Sequence, residues 1–159
     1  MKTILVVDGY NAVHLIPKAL KLIDKSLKHA RDYIVQISKD YIRLKGNISD
    51  VKVVFDGNEK YSYLEKISNQ VFSKTGQGDD TIIATVKKYL KSSKVVIASN
   101  DNYVRNNCRN CGAKLIFVDE LTEKNKKQNK KIIEKDNSKQ ISNNIKIQIT
   151  REYRKNLGL

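Results

Sequence analysis

Short, largely apolar runs rich in β-branched residues punctuate this chain, and most end in an acid or an amide. Thr3–Val7 ends at Asp8, Val51–Phe55 at Asp56, and Val95–Ala98 at Ser99–Asn100–Asp101. Lys114–Val118 closes the series. Runs without polar alternation are strands buried on both faces, the habit of parallel sheets covered by helices. Between them, Leu27, Ala30, Ile34, Ile37, Tyr41 and Leu44 recur at three- and four-residue spacing. That stripe predicts a helix over 27–45, stopped at Gly46–Asn47. Pro17 opens a shorter helix over 18–24. Asp79 or Asp80 is expected to cap a helix through Leu90, and 101–111 forms another, closed by Gly112. Ile67–Phe72 alternates weakly and is expected to be a further strand. Alternating strand and helix predicts an α/β fold with a central, mainly parallel sheet.

Right-handed crossovers bring all strand C-termini to one edge, and ligands of such sheets bind beyond that edge. Asp8, Asp56 and Asp101 fall there, as do Asp79 and Asp80 after the loop Lys74–Gly78. Each has a plain structural reading beside the functional one. Asp8, followed by Gly9 for a sharp turn, can serve only that turn, with Asn11 bonding backbone. An acid at a helix start is usually a cap, which applies to Asp79, Asp80 and Asp101. Asp56 can be a turn residue. Taken jointly, several carboxylates on one rim repel each other unless a cation joins them. Oxygen-only ligands favour Mg²⁺ or Mn²⁺. Such an ion acidifies water and supports in-line attack on phosphorus, so the constellation suggests phosphodiester hydrolysis.

Charge agrees with a polyanionic substrate. The 159 residues hold 31 Lys and Arg against 17 Asp and Glu, a net charge of +14, which favours nucleic acid through counterion release. A merely lysine-rich composition is the competing explanation. The length suits one domain with a tail. Residues 122–159 contain 11 Lys and Arg and 4 Asp and Glu. They read as a basic extension to a domain over 1–121, with a linker followed by a short helix on Ile141, Ile145 and Ile149. Ile145, Ile147 and Ile149 also fit a strand. Two cysteines exclude a disulfide scaffold. The apolar start is too short for a signal peptide or a membrane span, which makes a cytoplasmic location the expectation.

The ordered motifs Val6–Val7–Asp8–Gly9–Tyr10–Asn11, Val54–Phe55–Asp56–Gly57, Gly78–Asp79–Asp80–Thr81–Ile82 and Ala98–Ser99–Asn100–Asp101 resemble the NYN branch of the PIN-like nucleases. The likeness is greatest to the bacterial YacP-like group and covers roughly residues 3–120. It implies a PIN-like α/β/α sandwich and an endoribonuclease using Mg²⁺ or Mn²⁺. It further implies that Asp8, Asp79 and Asp101 bind the metal, with Asn11 and Ser99 as supporting polar groups; Asp80 and Asp56 are further candidates. Some YacP-like proteins cleave messenger RNA on the ribosome, which makes RNA the implied partner. The chain departs from the pattern in lacking an evident fourth late acid, since Asn102 or Asn106 stands there. A catalytically inactive RNA- or ribosome-binding module is therefore the alternative. A phosphatase is a third reading, opposed by the absence of a DxD pair after the first strand.

Lys74, Arg105 and Arg109 flank the predicted rim and are candidates for phosphate contact. Tyr10 and Tyr103 are candidates for base stacking. Lys126, Lys127, Lys130 and Lys131 form a basic segment suited to sequence-independent RNA contact, or equally to a solubilising arm. Cys108 and Cys111 are half a zinc knuckle by spacing, but three-residue spacing on a helix favours inward packing. His14 reads as a surface or packing residue rather than a substrate contact.

Overall fold

The computed structural model describes residues 1–57 and 69–122. The chain divides into two units, Met1–Thr122 and Glu123–Leu159, and all described residues lie in the first. The expected linker and C-terminal helix, the basic segment with Lys126, Lys127, Lys130 and Lys131, and Asn58 lie outside the described residues.

Five strands form one sheet: β1 (Thr3–Asp8), β2 (Asp50–Phe55), β3 (Gln70–Phe72), β4 (Lys94–Ala98) and β5 (Lys114–Ile116). Their order is β3-β2-β1-β4-β5, and every pairing is parallel. The central strand is β1, buried from Ile4 to Asp8. Its neighbours β2 and β4 diverge in opposite directions along the sheet. The crevice above β1 and β4 is thus the topological switch point at which ligands of open α/β sheets bind.

Helices cover both faces. On one lie α1 (Gly9–Leu15), α2 (Pro17–Leu22) and α3 (Leu27–Lys45). Their Ala12, Val13, Ala19, Ala30, Ile34 and Ile37 pack on Leu5, Val7, Val53 and Phe55. On the other face lie α4 (Gly78–Leu90) and α5 (Asn102–Asn110). There Ile82, Ile83, Val86, Val104 and Cys108 pack on Val6, Val54, Val95 and Ile97. The α/β/α sandwich follows from the strands being apolar on both sides, since each face has to be withdrawn from water.

The 27–45 helix and its stop appear as expected. Ser26 caps it by accepting from the His29 amide, and Gly46 ends it at φ 72°. Pro17 occupies the first turn of α2, where its missing N–H is no loss. Three local expectations are corrected. No free turn follows Asp8, because α1 begins at Gly9 and buries Ala12 and Val13. Neither Asp79 nor Asp80 caps α4, because the helix starts one residue earlier, with Gln77 at the N-cap and both acids in its first turn. The strand expected through Val118 ends at Ile116, because the next two amides bond to side chains, Phe117 to Glu120 Oε2 and Val118 to Asn100 Oδ1.

Candidate active site

Side chains alternate along a strand, so Asp8 projects to the same face as Val6, beneath α4 and α5. Only 8% of Asp8 is exposed. Its Oδ2 accepts a 2.8 Å hydrogen bond from Ser99 Oγ. The same hydroxyl oxygen accepts from the Asp101 amide at 3.1 Å. One buried serine therefore ties the end of β1 to the start of α5. Asp101 is the N-cap of α5, its Oδ1 accepting from the Val104 amide at 2.9 Å. Its capping and rim-facing readings are compatible, because one carboxylate oxygen suffices for the cap.

Asn11, on α1, accepts from the Asn100 amide through Oδ1 at 2.9 Å. Asn100 Oδ1 in turn accepts from the Val118 amide at 2.8 Å. The loop Ser99–Asp101 is thus held from β1, α1, α5 and the segment after β5. An open cavity of about 350 Å³ lies above it, lined by Asp8, Asn11, Asp56, Asp79 and Asp101, with Tyr10, His14 and Ile82 on its walls. Ser99 lies buried below the cavity, and Asp80 is not among its lining residues. The turn of α4 thus separates the two adjacent acids.

The carboxylates interact electrically. Burial pushes the Asp8 carboxyl up from 3.8 to about 6; the Ser99 bond opposes this, and the charges of Asp79 and Asp101 add to it. Asp79 is also raised, first by desolvation at the cavity wall and then by Asp101, Asp56 and Asp80. Asp79 makes no hydrogen bond among the described residues, whereas Asp56 is held by the loop before α4. Asp56 Oδ1 accepts from Ser73 Oγ at 3.1 Å and from the Gly76 amide at 3.0 Å. It clamps the loop before α4, the turn role that was its simpler reading.

Two glycines set the approach of these elements. A Cβ on Gly9 would lie 2.4 Å from Phe55 Cδ1 and 2.6 Å from the Val54 carbonyl oxygen. A Cβ on Gly78 would lie 2.8 Å from Asp56 Cβ. Gly9 therefore permits close helix–strand packing rather than a sharp turn, and Gly78 lets the first turn of α4 reach the rim.

The model of the YacP-like NYN domain matches residues 5–158. The chain belongs to the YacP-like NYN domain family. This is a nuclease-type family. Its match runs through the basic extension, well beyond the 3–120 span carrying the motifs. Similar solved structures include two of one protein. The crystal structure of the W164L mutant of Rae1 (YacP) from Bacillus subtilis is 25% identical, with a TM-score of 0.64 over 84% of this chain and 80% of that one. Another crystal structure of Rae1 (YacP) from Bacillus subtilis, at 23% identity and TM-score 0.54, covers 94% and 92% and supports the fold. Among curated proteins none matches.

In this YacP-like domain the basic residues separate from the acidic ones. Lys74 is exposed on the loop that Asp56 clamps. Arg105, expected to hold phosphate, also braces a loop. Its Nη1 donates to the carbonyls of Ser99 at 2.7 Å and Ile116 at 2.9 Å. Arg109 does not flank the rim, because α5 runs away from it, and seven residues from Asn102 carry it about 10 Å along the axis. Cys108 is buried, its thiol pushed up to about 11 chiefly by burial, and Cys111 is half-buried; both are free. Packing thus accounts for the pair. His14 lines the cavity, although one turn of helix after Asn11 was the only sequence signal for it. Asn100 as a loop anchor had no signal beyond its motif. Among the described residues, no three His, Cys, Asp or Glu side chains group closely enough to ligate one ion directly. No helix among them is long and apolar enough to cross a membrane.

Proposed function

We propose that this protein is a metal-dependent endoribonuclease that hydrolyses RNA phosphodiester bonds. One observation carries the reading: Asp8, Asp79 and Asp101, from three separate segments, line a single cavity, and the charges of Asp79 and Asp101 raise the proton affinity of the buried Asp8, in a chain of net charge +14. Carboxylates that repel in this way are relieved by a cation, and their all-oxygen character fits Mg²⁺ or Mn²⁺. Among the described residues no three such side chains group closely enough to ligate one ion directly, so a bound ion would keep part of its water, as Mg²⁺ does.

Asp8, Asp79 and Asp101 would hold the ion, which supplies an acidified water and neutralises charge on the phosphate. Ser99 fixes the Asp8 carboxylate and the Asp101 backbone in one arrangement. Asp101 keeps one oxygen clear of its cap, and the Asn11 amide group retains donors for a phosphate oxygen. Lys74 at the rim and Lys126, Lys127, Lys130 and Lys131 on the extension would contact the RNA backbone. Family membership supports messenger RNA on the ribosome as the substrate and the cytoplasm as the location.

Purified protein should cleave single-stranded RNA with Mn²⁺ and not with EDTA, and Asp8→Asn should abolish cleavage with the fold intact. Undiminished cleavage by that variant would remove the mechanism. The loose spacing of the acids favours a second reading, an RNA- or ribosome-binding module without catalysis. RNA binding with no metal-dependent cleavage under any divalent ion would select it.

A further inference from the structure

Phe117 follows β5 at the catalytic edge of the sheet. Its neighbours Ile116 and Val118 are buried, and Phe117 between them is 50% exposed. Phenylalanine has no polar group to account for its place in water, unlike tyrosine or tryptophan. The ring is also held in place. The Arg105 guanidinium lies over it, 3.9 Å from the centroid. That guanidinium is itself pinned by the Ser99 and Ile116 carbonyls. The Phe117 amide donates to Glu120 Oε2 at 2.6 Å, and the Val118 amide to Asn100 Oδ1 at 2.8 Å.

These bonds also locate the ring relative to the acids. Arg105 joins Phe117 to the Ser99 carbonyl, and the Ser99 hydroxyl bonds Asp8. A group stacked on Phe117 would therefore lie on the loop that anchors the acids, joined to Asp8 through Arg105 and Ser99. A flat, immobilised apolar ring with a cation on one side suits a nucleobase, because every base has a π-face and stacking on a fixed ring costs little ordering entropy.

We propose that Phe117 is a stacking platform for one base of single-stranded RNA, placed beside the cleavage rim by Arg105. The assignment rests on the RNA-substrate reading above, and it adds a position at which the enzyme senses a base rather than the backbone.

The test is a binding measurement on the full chain carrying Asp8→Asn, so that RNA stays intact. The probes are a labelled single-stranded RNA of about ten nucleotides and a series in which one nucleotide at a time is abasic; stacking strengths imply about a tenfold effect per base. With Phe117 present, affinity should fall about tenfold when the abasic position meets the ring, and little at most other positions. Phe117→Ala should bind intact RNA about tenfold more weakly and lose that positional discrimination. Phe117→Trp should restore both, and the dependence of affinity on salt should be unchanged throughout. The proposal is overturned if Phe117→Ala weakens intact and every abasic RNA equally, or leaves binding unaltered. If the protein binds no RNA, the proposal and the substrate reading fail together. If positional discrimination holds while the unmutated protein cleaves nothing, the platform stands and only the nuclease reading falls.

Discussion

Removing the central acid should make this protein more stable, in a pH-dependent way. Asp8 is 8% exposed, and its carboxyl rises from 3.8 to about 6 in the folded state, chiefly through burial. A raised acid pKa means that the folded chain holds the proton more tightly than the unfolded chain. Between about pH 4 and pH 6 the unfolded state has released that proton and the folded state has not, so stability falls as pH rises through this window. Above it, the accumulated penalty is about 3 kcal/mol, from about 1.4 kcal/mol per pKa unit. Asp8→Asn removes the charge and keeps an oxygen to accept from Ser99, although this neutral bond is weaker by about 1 kcal/mol. The variant should therefore be about 2 kcal/mol more stable at pH 8 in EDTA, and no more stable than the unmutated protein at pH 4. Urea denaturation of both proteins at the two pH values measures this directly. A destabilised variant at pH 8, or a difference that does not change with pH, would refute the electrostatic account. Mn²⁺ at pH 8 should narrow the gap by stabilising only the protein that retains Asp8, since a ligand of the native state stabilises by mass action.

Gly9→Ala should lose about 2 kcal/mol in denaturant titration, because its Cβ meets the fully buried Phe55 ring and the Val54 carbonyl. Displacement of α1 should also lower cleavage by moving Asn11. Ser99→Ala removes the bond that holds the Asp8 carboxyl down, so the acid limb of the pH–rate profile should move to higher pH; an unshifted limb would count against Asp8 as the titrating group. Asp79→Asn should reduce cleavage by about two orders of magnitude, while Asp80→Asn should leave it nearly unchanged, as only Asp79 lines the cavity. Equal loss from both substitutions would contradict the assignment.

Much of this fold was legible because its information is local. The stripe from Leu27 to Leu44 and the stop at Gly46 identify α3 to the residue. The short β-branched runs identify β1, β2 and β4, since strands buried on both faces leave no polar alternation. The missed elements depend on contacts distant in sequence. Helix α1 is short and polar at Asn11 and His14, and its burial against Phe55 becomes visible only once β2 lies beside β1. The early end of β5 depends on an Asn100 side chain that reaches Val118.

The candidate site divides in the same way. Sequence by itself placed Asp8, Asp56, Asp79 and Asp101 at the C-terminal edge of the sheet, because strand ends and crossover handedness follow from local pattern and chain chirality. It also determined the family, through motifs whose order and spacing are linear properties. Tertiary structure decided what each of those acids does there. Asp56 is bound to Ser73 and Gly76, Asp80 lies off the cavity, Arg105 braces a loop, and His14 joins the wall. The reason is physical: a side chain's chemistry is encoded at its own position, whereas its burial, its partners and the charges that move its pKa belong to neighbours brought in by packing.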